Sequence, residues 1–214
     1  MKTTLMSSLL FFVLFSFSNQ ASAYLHFEPS LAYTLAGSWE VDDSDDDFSS
    51  LELGMRLGYQ SPQGFQIGAN VDIGVGSFDD EGYEADSISI DPYLMFGYQA
   101  SFGLRGFLGL SPSTLLDLDS DFSETSYLGY GLKIGGGYLI RNIVAINLYY
   151  KFNDYYDFDS DDSDGFESLD IDFKTHSINL SVSFPFNFGG KRKHTKPKIQ
   201  KELNEVQEQK LNTK

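Results

Sequence analysis

The chain has 214 residues and a formal charge of −16, from 31 acidic and 15 basic side chains. It contains no cysteine, which excludes disulfides and thiolate metal sites, and its 41% of hydrophobic residues argues against disorder throughout. Residues 24–188 carry −22 whereas residues 189–214 carry +5, so the acidic body is not expected to bind nucleic acid.

The first 23 residues have the layout of a secretory signal peptide. A positive charge at Lys2 precedes an apolar run over 9–17, and Ala21-Ser22-Ala23 is a small-residue cleavage pattern. The run is too short for a membrane-spanning helix, and no later segment has the ~18 consecutive apolar residues that such a helix needs. We predict cleavage after Ala23, so that the mature protein starts at Tyr24.

Eight segments of the mature sequence alternate between apolar residues and small or polar residues. In the first, Leu31, Tyr33 and Leu35 alternate with Ala32 and Thr34, which puts the two kinds on opposite faces of a strand. Each segment contains about the ~9–11 residues that a tilted strand needs to cross a bilayer, and some segments extend beyond that length. The segments span 25–41, 51–60, 65–76, 88–98, 102–110, 128–140, 144–152 and 178–188.

The connections between these segments alternate in length. Short turns are expected at 61–64, 99–101 and 141–142, whereas long acidic loops are expected elsewhere, including 42–50 and 154–172. Membrane barrels have short periplasmic turns and long extracellular loops. This rhythm predicts external loops near Asp46, Asp80, Asp119 and Asp161, with Gly64, Arg141 and both termini in the periplasm.

Aromatic residues at the strand ends predict two girdles at the membrane surfaces, where amphipathic rings prefer to lie. A water-soluble β-sandwich or lipocalin-like barrel also alternates, but its apolar face would point inward and would not need two aromatic belts. The periplasmic girdle comprises Phe27, Tyr59, Phe65, Tyr98, Phe102, Tyr138 and Phe184, and the outer girdle Trp39, Tyr130, Tyr150 and Phe152.

Charged residues occupy the face that points into the barrel. Eight strands leave room for side chains only, and buried charges are costly unless they are paired. We expect Asp72 and Asp91 to pair across the lumen with Lys133 and Lys151, either as a structural plug or as a gated path for ions or protons. The predicted lumen charges are Glu28, Glu40, Glu52, Arg56, Asp72, Asp91, Arg105, Lys133 and Lys151.

The histidines give little support for catalysis. A lipid A-modifying barrel needs a hydroxyl nucleophile and a positioned base. His26 lies near the periplasmic end and His194 in the tail, which leaves His176, with Thr175, Ser177 and Asp172 nearby. Because neighbouring residues of a strand face opposite sides, Ser177 cannot readily meet His176.

The acidic residues around Gly165 raise the question of a calcium loop at 159–165. When Gly165 takes the sixth place of an EF-hand loop, Ile171 takes the twelfth, where a bidentate Glu is required. The motif therefore fails, and no metal site or cofactor is predicted. Weak binding of divalent cations by clustered carboxylates, bridging lipopolysaccharide, remains an open alternative.

The signal peptide, the strand rhythm and the closing aromatics Phe184, Phe186 and Phe188 together resemble small outer-membrane barrels, typified by the membrane domain of outer membrane protein A and its eight-stranded relatives. The resemblance covers residues 24–188. It implies recognition of the closing strand by the barrel assembly machinery and contact with outer-membrane lipid and lipopolysaccharide. Unlike many such barrels, the chain continues for 26 residues after Phe188, in a tail too short to be a folded peptidoglycan-binding domain.

The sequence therefore predicts an all-β fold: an eight-stranded antiparallel up-and-down transmembrane β-barrel of the cell outer membrane. It divides into a signal peptide (1–23), the barrel (24–188) and a basic periplasmic tail (189–214) that is disordered or a short helix and could contact peptidoglycan. The expected function is non-enzymatic, in envelope structure, surface interaction or both. The alternatives are a narrow porin-like channel and, more remotely, a lipid A-modifying enzyme.

Overall fold

The structure of the protein is a computed structural model that describes residues 23–41, 44–80, 83–120, 123–160 and 167–188. Residues 1–22 of the predicted signal peptide and the whole basic tail, residues 189–214, lie outside the described residues. Within the described ranges, no helix combines the length and apolar character needed to cross a membrane.

The described chain folds into eight long antiparallel strands and one short strand, each long strand next to its sequence neighbour. Strand β1 also pairs with β8 and with β9, which closes the sheet into a barrel with eight strands around its circumference. The predicted fold class is therefore confirmed. The strands are β1 Tyr24–Val41, β2 Ser44–Gln60, β3 Phe65–Asp80, β4 Tyr83–Gln99, β5 Leu104–Ser120, β6 Ser123–Ile140, β7 Val144–Ser160, β8 Glu167–Ser183 and β9 Phe186–Phe188.

The last strand, β9, follows β8 after a short break and pairs with the start of β1. Proline has no backbone N–H and cannot donate to a ladder hydrogen bond. Pro185 lies in the break between the strands, where no such bond is needed. The backbone N–H of Phe184 donates to the carbonyl of Pro29 at 2.9 Å, and Phe186 then pairs with Phe27. The two ends of the described barrel therefore meet at the same rim.

The three short turns lie at this rim too. Between β6 and β7, Arg141 and Asn142 have φ of 51° and 59°, the left-handed pair that a tight hairpin turn requires. Between β2 and β3, Gly64 has φ of 99°, and a Cβ there would stand 2.0 Å from the carbonyl oxygen of Gln99. Glycine is therefore required at this turn.

The middle of the barrel is apolar outside and polar inside. Leu53 and Ile146 point outward with 63% and 44% of their surface exposed, whereas Asn147 and Asn179 are buried in the lumen. This arrangement reverses that of a water-soluble barrel. It is the one expected where the outside faces hydrocarbon, because lipid stabilises apolar side chains and rejects charged ones.

The acidic segments predicted as long loops are strand wherever the structure describes them, so the prediction is wrong for those residues, whereas Asp161 lies outside the described residues. Strand β2 begins at Ser44 rather than near Leu51, and Asp46, Asp80 and Asp119 all lie within strands. In this extension the pattern inverts: Phe48 belongs to an inner apolar cluster, whereas Asp47 and Asp119 face outward. Outside the membrane, water favours acids on the surface and an apolar interior, so the strands continue beyond the bilayer.

A bulge inverts the pattern in β1. Its pairing with β8 shifts between Thr34 and Ala36, so that Trp39 turns into the barrel, where it packs against an interior cluster. Its predicted place in the outer girdle is therefore wrong. Glu40 turns outward for the same reason, with 45% of its side chain exposed, and is not a lumen residue. A bulge inserts one residue and reverses the facing of every later residue.

We predict that Leu148→Arg destabilises the barrel by about 2–4 kcal/mol, because Leu148 faces outward on β7 between the levels of the two girdles, so the charge would lie near the middle of the hydrocarbon layer. The matched control is Ile143→Arg, which places the same charge on an exposed side chain in the turn at the rim. There the cost should fall to about 0–1 kcal/mol. Urea unfolding in lipid vesicles measures both values, and equal costs would contradict the membrane position of Leu148.

Candidate functional site

The lower part of the lumen, nearest the short turns, is organised around Glu28. Its carboxylate accepts a hydrogen bond from Arg105 at 2.7 Å and lies 3.6 Å from Arg56. His26 is within 2.9 Å of the same carboxylate and bonds through its other ring nitrogen to Asn187 of β9. The group therefore joins the closing strand to the opposite wall through buried polar contacts.

The middle of the lumen holds two sets of ion pairs. Lys133 Nζ lies 2.6 Å from Asp72 Oδ2, and Lys151 Nζ lies 2.7 Å from Asp91 Oδ2. These are the pairs that the sequence predicts, and the structure brings both together. Lys151 also contacts Glu52 at 2.5 Å, a pair that the sequence pattern did not predict.

Among these ion-pairing residues, side chains of like charge occupy directly opposite positions on neighbouring strands. Asp72 lies opposite Asp91 in the β3–β4 ladder, and Lys133 lies opposite Lys151 in the β6–β7 ladder. Like charges directly opposite each other destabilise a sheet unless they are neutralised. Here the two acids face the two bases across the barrel, so the two sets compensate each other.

Aromatic side chains support the same layer. The Tyr149 hydroxyl donates to Glu52 at 2.5 Å, and Lys133 Nζ stands 4.0 Å from the centre of the Tyr149 ring. A cation over the face of an aromatic ring is stabilised when water is excluded. Lys133 is thus held by a carboxylate and by a ring, which fixes it in the centre of the lumen.

Charge is balanced in the described interior, which contains four buried carboxylates and four buried Lys or Arg side chains. Balance matters because an unpaired ion in this environment would cost several kcal/mol. The acids are Glu28, Glu52, Asp72 and Asp91, and the bases are Arg56, Arg105, Lys133 and Lys151.

Above the ion pairs, an aromatic cap fills the lumen of the extension. Phe173, with 2% of its surface exposed, stacks on Tyr155 at 4.9 Å between ring centres, and Trp39 meets it edge-on at 6.0 Å. We call this cluster the aromatic cap. It consists of Trp39, Val41, Phe48, Phe78, Ala85, Leu116, Leu118, Tyr127, Tyr155 and Phe173.

Little space remains between these layers. A cavity of about 30 Å³ separates the ion pairs from the aromatic cap, between Glu52, Lys151 and Phe48. A second, of about 20 Å³, lies lower, beside Glu28 and Lys133. Each has room for about one or two water molecules, so neither cavity is a continuous passage.

The histidine that is the candidate for catalysis lies on the outer face. His176 Nδ1 hydrogen-bonds the Tyr150 hydroxyl, and its Nε2 is 3.6 Å from Glu40. Ser177 is buried and accepts a bond from Asn179 inside the barrel, so it does not meet His176. The side chain of Asp172 and all of His194 lie outside the described residues. In the described part of the chain no cluster of His, Asp or Glu could hold a metal ion.

The other residues of the predicted girdles lie on the outer surface. Tyr59 and Phe65 are 57% and 56% exposed near the turn rim, and Tyr130 is 48% exposed near the opposite end of the aliphatic zone. Tyr130 donates to Asp154 at 2.6 Å, which shows how a girdle hydroxyl reaches the polar extension. The outward positions are Phe27, Tyr59, Phe65, Tyr98, Phe102, Tyr130, Tyr138, Tyr150, Phe152 and Phe184.

The aromatic cap is absent from the sequence-based expectations. Phe48, Phe78 and Phe173 occupy positions that face the lumen but are apolar, and acids stand next to or near them. Taken as loops, these segments gave no reason to follow the alternation further. Continuing the period of two beyond the bilayer limit would have revealed an apolar interior outside the membrane.

A closed sheet with aliphatic residues outside and paired charges inside defines an integral membrane β-barrel. The chain belongs to the outer membrane protein β-barrel domain family, which matches residues 7–186. It is therefore a protein of the outer membrane. No curated protein matches the sequence.

Solved structures show the same fold at low sequence identity. Neisserial surface protein A superposes with a TM-score of 0.58 at 13% identity, covering 75% of this chain and 97% of its own. Ail, the attachment invasion locus protein of Yersinia pestis, gives a TM-score of 0.51 at 14% identity, covering 76% of this chain and 99% of its own. Similarity at this level of identity supports the architecture alone.

We predict that Lys133→Ala destabilises the barrel by about 3–5 kcal/mol, because it leaves Asp72 buried without its partner. The matched control is the double variant Asp72→Asn with Lys133→Met, which removes both charges and keeps similar volumes. It should lose less stability than the single variant. Urea unfolding measures both, and a double variant as unstable as Lys133→Ala would contradict the importance of charge balance.

Proposed function

We propose that this outer-membrane protein is a sealed, non-enzymatic barrel that presents a rigid acidic extension at the cell surface. The observation that carries the proposal is the double closure of the lumen, by the ion pairs around Lys133 and Lys151 and by the aromatic cap. A barrel blocked at two levels is suited to structural or surface-interaction roles rather than transport.

The proposed orientation places the acidic extension outside the cell and the short turns in the periplasm. It is supported by the general arrangement of outer-membrane barrels, in which the shorter connections face the periplasm. The start of β1 and the end of β9 lie at the turn rim, so the basic tail would begin in the periplasm. Contact of that tail with peptidoglycan is part of the proposal.

The surface chemistry favours partners without negative charge. Asp47, Asp86 and Asp119 are exposed on the extension, and Asp86 lies directly opposite Asp119 in the β4–β5 ladder. Ail has been solved with the heparin analogue sucrose octasulfate, a polyanion. We expect this chain not to share that ligand, because its acids would repel it. Cationic partners fit this surface better, and anionic lipopolysaccharide would need divalent cations as a bridge.

We further propose that the barrel assembly machinery recognises the closing strand and that the barrel has a non-enzymatic role. The outward aromatics Phe184, Phe186 and Phe188 at the closing seam fit a role as the signal read by the barrel assembly machinery. The non-enzymatic role is supported by the separation of His176 from Ser177, which face opposite sides of β8. A hydroxyl and a base on opposite sides of the wall cannot exchange a proton.

The second candidate is a narrow channel, and the polar lining of the lumen favours it. Asn147 and Asn153 are buried beside the ion pairs, where they could hydrogen-bond water. Planar-bilayer recording of the refolded protein decides between the two. We expect no single-channel steps from the wild type. We also expect none from Lys133→Ala, since the aromatic cap still blocks the path. Conductance by the wild type would overturn the sealed barrel, and a rise in Lys133→Ala alone would make the pair a gate.

The orientation can be tested with single cysteines, because the chain has none of its own. Asp119→Cys places a thiol on the exposed extension, and Gln63→Cys places one in an exposed turn at the other rim. An impermeant maleimide applied to intact cells should label position 119 and spare position 63, whereas both should react after lysis. The opposite pattern would invert the proposed orientation.

A further inference from the structure

A lateral cleft opens in the barrel wall where β1 and β2 separate. The two strands pair up to Tyr33 with Leu51 and pair again from Ser38 with Asp47, so residues 34–37 and 48–50 are unpaired with each other. The cleft has a volume of about 500 Å³. This is within the range of ~300–1,000 Å³ that is typical of small-molecule pockets. The bulge that turns Trp39 inward thus also creates an opening.

The lower wall of the cleft belongs to the lipid-facing surface. Tyr33, Leu35 and Ile178 line it, with 54%, 55% and 44% of their surfaces exposed. They continue the aliphatic belt that includes Leu31 and Leu180 on the same two strands. A chain of the surrounding bilayer can therefore enter the cleft sideways, without crossing water.

The upper wall of the cleft is polar and acidic. Tyr150 and His176 line it and are hydrogen-bonded to each other, and Glu40 lies 3.6 Å from His176. Asp47 lines the cleft as well. Lys174 lies directly opposite Glu40 in the β1–β8 ladder, so the edge carries two carboxylates and one ammonium group. Its remaining negative charge disfavours a negatively charged head group, whereas hydroxyl and ammonium groups find acceptors there.

We infer that this cleft binds the alkyl chain of a membrane amphiphile whose head group is uncharged or positively charged. The chain lies against Leu35 and Ile178, and the head group lies beside Tyr150, His176 and Glu40. The inference rests on the membrane position of the barrel and does not depend on whether the lumen is sealed or conducts.

Trp39 reports on the cleft, because it is the only tryptophan of the chain and follows the cleft residue Ser38. Its ring packs edge-on against Phe78 and Phe173 at 5.4 and 6.0 Å between centres, on the inner side of the wall. Bromine quenches indole fluorescence at short range. Trp39 lies between Ser38, which is opposite His176, and Glu40, so it is level with the proposed head group. An amphiphile that carries bromine next to its head group should therefore quench Trp39 when it binds in the cleft, whereas molecules in the surrounding micelle should not.

The experiment titrates the mature protein, in neutral detergent, with (2-bromododecyl)trimethylammonium, whose bromine lies next to the head group. Saturable quenching of Trp39 is expected. Ala36→Phe fills the cleft from its exposed β1 wall, and the matched control Ala69→Phe makes the same change on the exposed face of β3. The first should weaken binding by about tenfold or more, and the second should leave it unchanged. If Ala36→Phe fails to fold, Ser49→Leu fills the cleft from β2.

Head-group selectivity is the second measurement. 2-Bromododecan-1-ol should bind like the ammonium probe, whereas 2-bromododecanoate, when ionised, should bind at least about tenfold more weakly. Glu40→Gln should narrow that difference. The inference is overturned if no probe gives saturable quenching, if filling the cleft has no effect, or if the carboxylate binds as well as the ammonium.

Discussion

The closure of β1 onto β8 and β9 is the constraint on which the rest of this molecule depends. In hydrocarbon no water is present to satisfy backbone N–H and C=O groups, so a sheet that crosses a membrane must have no free edge. A barrel that closes after eight strands has an interior only wide enough for side chains. Every lumen residue must therefore find its partners among other lumen residues, and Lys133 meets Asp72 for this reason.

The outer and inner faces of the barrel exchange their polar and apolar character along its length. Apolar side chains face outward where the barrel is surrounded by lipid and inward where it is surrounded by water. Leu53 faces lipid while Glu52 faces the lumen, whereas beyond the bilayer Asp47 faces water while Phe48 faces inward. In β1 a bulge produces this exchange, because it switches which residues of the alternating sequence face the lumen. The bulge after Thr34 in β1 also breaks the pairing with β2, so the lateral cleft is a consequence of the inversion.

The barrel is closed along its lumen and open at one place in its wall. The lumen is closed by ion pairs and by rings, which argues for a scaffold that presents its acidic extension. The wall opens at the cleft between β1 and β2, beside His176 and Tyr150. His176 and Tyr150 are hydrogen-bonded to each other at the edge of the cleft, where both can contact a head group.

The sequence by itself determined the eight strands, the aliphatic outer belt and the parity that puts Asp72, Asp91, Lys133 and Lys151 on one face. These follow from local alternation, which depends only on the two-residue period of a strand. Only the tertiary structure decided the facing of Trp39 and Glu40, the length of the strands and the additional contact of Lys151 with Glu52. A bulge shifts facing without a clear local signal, and strand shear sets which residues meet across a barrel.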